Sequence, residues 1–199
     1  DGIQIEPDRV YVMPPNHSLA ILHGRLHLMP RPDALGKHLP IDDFLKTLAD
    51  DLQSNAIGVI LSGTATDGTF GLRAIKAEGG ITFAQSEASC EYDGMPHSAI
   101  AAGHVDFILT PEEIARELAR IAKHPYLLQE LRMPREAEGV LAGDSLNKIF
   151  VLLRSRTGSD FTYYKHATIR RRIKRLMVLN QIEKLEDYIK YLQQQPKEV

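Results

Sequence analysis

The stretch Ser62-Gly63-Thr64-Ala65-Thr66-Asp67-Gly68-Thr69-Phe70-Gly71-Leu72 carries the densest set of groups able to do chemistry. Three glycines let a backbone turn sharply and approach a bound group closely, and Asp67 offers a carboxylate among hydroxyls. A glycine-rich turn can cradle phosphate, but this spacing is neither G-x-G-x-x-G nor a Walker loop, and no lysine follows the last glycine in the Walker manner. Two readings of Asp67 remain. It offers a carboxylate at the rim of a sheet, where a partner can come close, or it caps the helix that follows, with the glycines serving only the turn.

Other reactive types are scattered. Ser62 and Ser89 are nucleophiles by type, yet neither sits in a G-x-S-x-G elbow, and Ser62 reads as the end of a strand. His17, His23, His27, His38 and His97 are bases by type, and each reads equally as a surface or packing residue. His23 and His27 have the H-x-x-x-H spacing that binds zinc on a helix. In a hairpin, at about 3.3 Å per residue, they stand ~13 Å apart, too far for one metal. The single cysteine, Cys90, makes no intrachain disulfide and reads as a small buried apolar side chain, so no metal site is expected. Arg170, Arg171, Lys174 and Arg175 lie on the polar side of a helix whose other side is Ile169, Ile173 and Met177. That side is a solvated face or a surface for an acidic partner; no aromatic interleaving or groove-reading motif points to nucleic acid.

These groups need a scaffold, and hydropathy supplies it. The apolar run Ile57-Gly58-Val59-Ile60-Leu61 predicts a parallel strand covered on both faces, followed by a helix over 70–77 stopped by Gly79-Gly80. A strand over 81–84, a helix opened by Pro96 and closed by Gly103, and a strand over 105–109 continue an α/β alternation, in which sites form at strand-to-helix turns. Thr110-Pro111-Glu112-Glu113 has the form of a capping box with proline at the first helical position. Upstream, Val10–Met13 predicts a short strand ended by Pro14-Pro15, and residues 19–28 a hairpin turning at His23-Gly24. Leu22 facing Arg25 puts Leu19, Ile21, Leu26 and Leu28 on one apolar face. Ile41, Phe44, Leu45, Leu48 and Leu52 recur at helical spacing after Pro40, to an end near Ser54-Asn55.

Beyond His124-Pro125, residues 124–141 read as a linker between an α/β unit over 1–123 and a small all-α unit over 142–199. The latter has three amphipathic helices, marked by Leu146, Ile149, Phe150 and Leu153, by Ile169, Ile173, Leu176 and Met177, and by Leu185, Tyr188, Ile189 and Leu192. Charge divides the same way: residues 1–125 hold 10 basic and 17 acidic side chains, residues 126–199 hold 14 and 9. A hydrophobic fraction of 43% and a charged fraction of 25% are those of a globular protein. No apolar run reaches the ~18 residues of a membrane span, so a cytoplasmic protein without membrane insertion is expected.

Ordered blocks then carry a resemblance. Val59 through Gly68, Ala84-Gln85 with Glu87 through Cys90, and Gly94-Met95-Pro96 with Ala99-Ile100 and Gly103 resemble the catalytic domain of the chemotaxis protein-glutamate methylesterases, the CheB family, over about residues 1–122. The segment Tyr11–Pro15 with His17 is similar as well. The resemblance implies an α/β fold with a parallel doubly wound sheet, incomplete at its N-terminus. It also implies hydrolysis of glutamate methyl esters on chemoreceptors by a serine, a histidine and an aspartate. Asp67 matches that aspartate, with Gly63, Thr64 and Gly68 in the active-site loop; the serine and histidine are expected upstream of Asp1. Thr64 stands where stand-alone members usually carry methionine, a pattern associated with members fused to a methyltransferase.

Gly158 through Phe161, Tyr164-Lys165, Thr168 through Met177 and Tyr188 through Leu192 resemble the N-terminal helical domain of the chemotaxis receptor methyltransferases, the CheR family, over about residues 142–199. This implies that Arg170, Arg171, Lys174 and Arg175 meet methyl-accepting chemoreceptor cytoplasmic domains, and that S-adenosylmethionine serves a domain further downstream. The 199 residues alone are then expected to hold no cofactor and to hydrolyse no ester. A rival expectation is a catalytically silent signalling scaffold that keeps the hydrolase fold for docking.

Overall fold

A computed structural model of the chain describes residues 1–30, 39–125, 144–161 and 164–195. It divides into two compact units, Asp1–Arg116 and Glu117–Val199.

In the first unit β1 (Ile3–Gln4), β2 (His17–Leu22) and β3 (Arg25–Pro30) form an antiparallel sheet in the order β1-β3-β2. The hairpin closes through His23 (φ 51°) and Gly24 (φ 71°), a left-handed pair whose twist suits adjacent strands. That loop fixes the register, so Leu22 faces Arg25 and Ile21 faces Leu26, as the alternation predicts. α1 (Pro40–Leu52) packs on β2, where Thr47 Oγ1 accepts the Ile21 N–H at 3.1 Å. Near its end, the Asp51 carboxylate accepts the turn amides of His23 and Gly24 at 2.7 and 2.8 Å. The strand expected over Val10–Met13 does not form. Val10 and Val12 are 91% and 85% exposed, and Ile3–Gln4 takes the edge of β3 instead. Pro14-Pro15 offers no N–H to a ladder, and the Tyr11 hydroxyl instead accepts the Glu6 N–H at 3.1 Å.

β4 (Ile57–Ile60), β5 (Ile81–Gln85) and β6 (Phe107–Leu109) form a parallel sheet in that order, joined by α2 (Thr69–Ala77) and α3 (Gly94–Ala101) and followed by α4 (Pro111–Ile121). β5 is buried along its length. β4, expected to be covered on both faces, stands at the edge of these described strands; Ile57 and Val59 are half-buried, and Leu61 beyond them is 47% exposed. An apolar run reports a preference for burial and says nothing of rank within a sheet. β6 starts later than predicted because Asp106 serves as a clamp. Its carboxylate accepts the Thr82 N–H at 3.1 Å, lies 3.0 Å from the Thr82 hydroxyl and pairs with Lys76 at 3.2 Å. The capping box forms: Glu113 accepts the Thr110 N–H at 2.9 Å, and that bond holds its carboxyl below the ordinary range.

The second unit contains α5 (Asp144–Thr157), α6 (His166–Leu179) and α7 (Leu185–Gln194). Ile149 and Phe150 on α5, Ile173 and Met177 on α6, and Tyr188 and Leu192 on α7 share one core, at the predicted periodicity. His124, first residue of the expected linker, is buried, and that burial pushes its imidazole pKa down. Residues 126–141 of that stretch lie outside the described residues.

Removing this buried carboxylate leaves the Thr82 N–H without its acceptor and Lys76 without its ion partner, while the Thr82 hydroxyl keeps the His104 carbonyl and Lys76 the Gly103 carbonyl. Asp106→Ala should therefore lower stability by about 2 kcal/mol. The check is urea unfolding, with a lower midpoint and an unchanged slope.

Candidate functional site

β4 ends at Ile60 and α2 begins at Thr69, so residues 61–68 form the turn at the carboxyl end of the parallel sheet. One wall of this turn is tied to β5. The buried Gln85 side chain accepts the Ser62 N–H at 2.8 Å and donates to the Ser89 carbonyl at 2.8 Å. Gly63 N–H donates to the Tyr92 carbonyl at 2.8 Å, and the Gly63 carbonyl accepts the Met95 N–H at 2.9 Å. The turn is thus fastened by its backbone, and Thr64, Ala65 and Thr66 are left exposed.

The other wall is electrostatic. Asp67 is half-buried; its Oδ1 accepts the Asp42 and Gly68 amides, both at 2.9 Å, and its Oδ2 accepts the Ile41 amide at 3.1 Å. Ile41 and Asp42 belong to the first turn of α1, so Asp67 caps α1 and not the following helix α2, as the capping alternative expected. First-turn amides lack intrahelical partners and carry the positive end of the helix dipole. α1 has Leu39 at its N-cap and α2 has Gly68, neither with a side chain that can accept. α1 is instead served by Asp67 from the turn that leads into α2, and α2 by α1, since Asp42 Oδ1 accepts the Gly71 N–H in the first turn of α2 at 2.7 Å. A carboxylate presents about four acceptor sites. With the described amides bound, Asp67 Oδ2 has a site left for a further donor such as an imidazole N–H. Gly68 is required at its place, since its φ is +91° and a Cβ there would collide with Ile60 Cδ1.

The other candidates of the right chemical type are engaged elsewhere. Ser62 Oγ accepts the Tyr92 N–H at 2.9 Å, and Ser89 Oγ lies 2.9 Å from Ser86 Oγ. His97 Nδ1 lies 3.0 Å from Glu87 Oε1 on the exposed rim, His17 Nδ1 lies 2.9 Å from the Pro15 carbonyl, and His27 Nδ1 lies 3.6 Å from Asp1. His23 sits in the hairpin turn, and His38 lies outside the described residues. Cys90 is half-buried where a buried side chain was expected; desolvation, with Asp93 and Glu87 nearby, raises its pKa, so the thiol stays protonated. Among the described residues no cluster of His, Cys, Asp and Glu could hold a metal ion.

In the helical unit Arg170, Arg171, Lys174 and Arg175 are all half-buried, while Arg172 is exposed. Val178, which lies between Arg171 and Lys174 around the helix and so on the basic side of α6, is also buried. Sequence reasoning missed Asp42 and Gln85. Both carried a signal: an acidic residue on the core-facing stripe of a helix, and an amide closing an apolar strand.

Comparison with known proteins gives this geometry a family. The family model for CheB methylesterase matches residues 1–118, well over half of the chain. The chain belongs to the CheB methylesterase family. Residues 144–199 match the CheR methyltransferase all-alpha domain. A protein-glutamate methylesterase/protein-glutamine glutaminase of Geobacter sulfurreducens is 34% identical over 61% of this chain, and one of Rhizobium meliloti 38% identical over 62%. This chain spans about a third of either, 35% of each. An uncharacterized 104.1 kDa protein of Rhodobacter capsulatus is 33% identical over 96% of this chain, which is 22% of its own length; its alignment runs through the CheB and CheR regions alike. The Thermotoga maritima CheB methylesterase catalytic domain superposes with a TM-score of 0.54 at 31% identity, over 59% of this chain and 65% of that one. The CheB region therefore has the parallel α/β fold of that domain, and a helical segment follows it. No described helix is long and apolar enough to cross a membrane.

In this CheB unit, Gly68→Ala combines a strained backbone with a collision at Ile60. It should cost about 2 kcal/mol or more, seen as a lowered thermal midpoint.

Proposed function

We propose that this chain forms the carboxyl-terminal part of a protein-glutamate methylesterase site, with Asp67 as the carboxylate that orients a histidine, followed by the opening helices of a linked receptor methyltransferase. The observation that carries the reading is the setting of Asp67 at the carboxyl end of a CheB sheet. Helix-end amides aim it, and an acceptor site remains on Oδ2. In serine-dependent ester hydrolysis a histidine takes the serine proton, and a carboxylate fixes the imidazole tautomer and stabilises its cation. Serine and histidine come, in this reading, from outside residues 1–199. The substrates are glutamate methyl esters on the cytoplasmic domains of methyl-accepting chemoreceptors, and the setting is the cytoplasm. S-adenosylmethionine serves a methyltransferase domain beyond the CheR-like helices, and the basic side of α6 meets an acidic receptor segment.

A second reading is favoured by the same hydrogen bonds. Described amides engage both Asp67 oxygens, so the residue is a structural cap and the unit a scaffold. Asp67→Asn in the full-length parent separates the two. An asparagine turns an N–H₂ toward at least one helix amide, so a stability loss of about 1–3 kcal/mol is expected on either reading. Only the triad reading adds a fall in hydrolysis of methylated receptor by orders of magnitude; the equivalent change in a serine protease costs ~10⁴ in turnover. A folded mutant that keeps more than about a tenth of the activity leaves the scaffold reading standing.

Reversal of Arg171 and Lys174 to glutamate should weaken capture of receptor cytoplasmic fragments and flatten its salt dependence, with the helical circular dichroism unchanged. Unchanged affinity in a folded mutant would mean that this side of α6 is only a solvated face.

A further inference from the structure

We infer that Asp42 is a positioning residue for the Asp67 carboxylate, acting through the crossed capping of α1 and α2; this rests on the triad reading of Asp67. Among the described residues Asp67 is steered by its own turn, through the Gly68 amide, and by the first turn of α1, through the Ile41 and Asp42 amides. Whatever fixes that first turn against α2 therefore sets the angle at which Asp67 is presented. Asp42 does this. Its main chain donates to Asp67 at 2.9 Å and its side chain accepts from Gly71 at 2.7 Å, so one residue closes a ring from Asp67 through α1 to α2 and back.

The cost of placing a carboxylate there argues that it serves more than packing. Asp42 is 0% exposed and continues the buried stripe of Leu45 and Ala49 on α1, where the core calls for an apolar side chain. Its Oδ2 has no hydrogen-bond partner among the described residues, a burial that is unfavourable by itself. Gly71 completes the arrangement. A Cβ on it would stand 2.5 Å from the Cβ of Leu45, so its absence lets α2 approach closely enough for Asp42 to reach the amide.

Displacing an orienting carboxylate by ~1 Å can lower turnover by up to about a hundredfold without affecting substrate binding. The test measures kcat, KM and thermal midpoint for the full-length parent acting on a methylated receptor fragment, with Asp42→Leu, Asp42→Asn and Asp67→Asn. Asp42→Leu keeps the branching at Cγ, in a bulkier side chain, and removes the acceptor; it should lower kcat about tenfold or more while KM stays within about twofold. Asp42→Asn keeps an oxygen for the Gly71 amide and should restore kcat to within about threefold of the parent. Folded Asp42→Leu with the parent's kcat overturns the inference, as does an asparagine variant no better than leucine. If Asp42→Leu does not fold, Asp42→Asn decides alone: a kcat within about threefold supports the inference and a tenfold fall overturns it. Activity kept by Asp67→Asn would instead remove the triad reading, so the two failures are told apart.

Discussion

Neither α1 nor α2 can satisfy its own first-turn amides, because Leu39 and Gly68 stand at their N-caps; α1 takes a carboxylate from the turn that leads into α2, and α2 takes one from α1. Charge-assisted bonds of this kind contribute about 1.5–3 kcal/mol each, more than a neutral cap. They matter more for geometry than for stability. α1 carries the hairpin through Thr47 and Asp51, and α2 leads away from β4, so the exchanged carboxylates couple the antiparallel sheet to the parallel one. Asp67 cannot shift without moving α1, and α1 cannot shift without straining Asp42 against Gly71.

Two polar knots hold the ends of β5 in a similar way. At its amino end Thr82 and Asp106 lock β5 to the approach of β6, and at its carboxyl end Gln85 locks the Ser62 amide to the Ser89 carbonyl. Buried polar groups that find their partners fix one arrangement more sharply than apolar contacts do, since any slip leaves a desolvated donor or acceptor. The exposed residues of the 61–68 turn are therefore held by bonds beneath them. That suits the proposed site, whose carboxylate must stay still.

What could be read from the residues was whatever local chemistry determines. The hairpin register followed from a two-residue left-handed turn and strict alternation, and the Thr110–Glu113 capping box from a four-residue pattern. The core positions of α5, α6 and α7 followed from their period. What escaped depended on partners distant in sequence. The alignment of Asp67 with α1 needs residues 25 or more positions away, so the sequence pointed to the nearer helix. Val10 and Val12 have strand-forming side chains but no edge left to join, since β1 takes it. The apolar run of β4 resembled that of β5, yet their neighbours in the sheet, not their composition, set their burial.

The helical unit shows the same limit in its charges. A helical projection puts four basic side chains opposite an apolar stripe, but Val178, placed between Arg171 and Lys174 on that basic side, is buried as well. Long cationic side chains can accommodate this by laying their methylenes along apolar surface. Half-buried, they have less rotamer freedom to lose when an acidic surface arrives, so each contact costs less ordering entropy than one made by a fully exposed lysine. The more solvent-exposed Arg172 is the better candidate for long-range attraction, which acts before contact and is most easily screened by salt. In the proposed docking, attraction at a distance and contact fall to different residues of one helix, a division that the pattern of charges alone does not reveal.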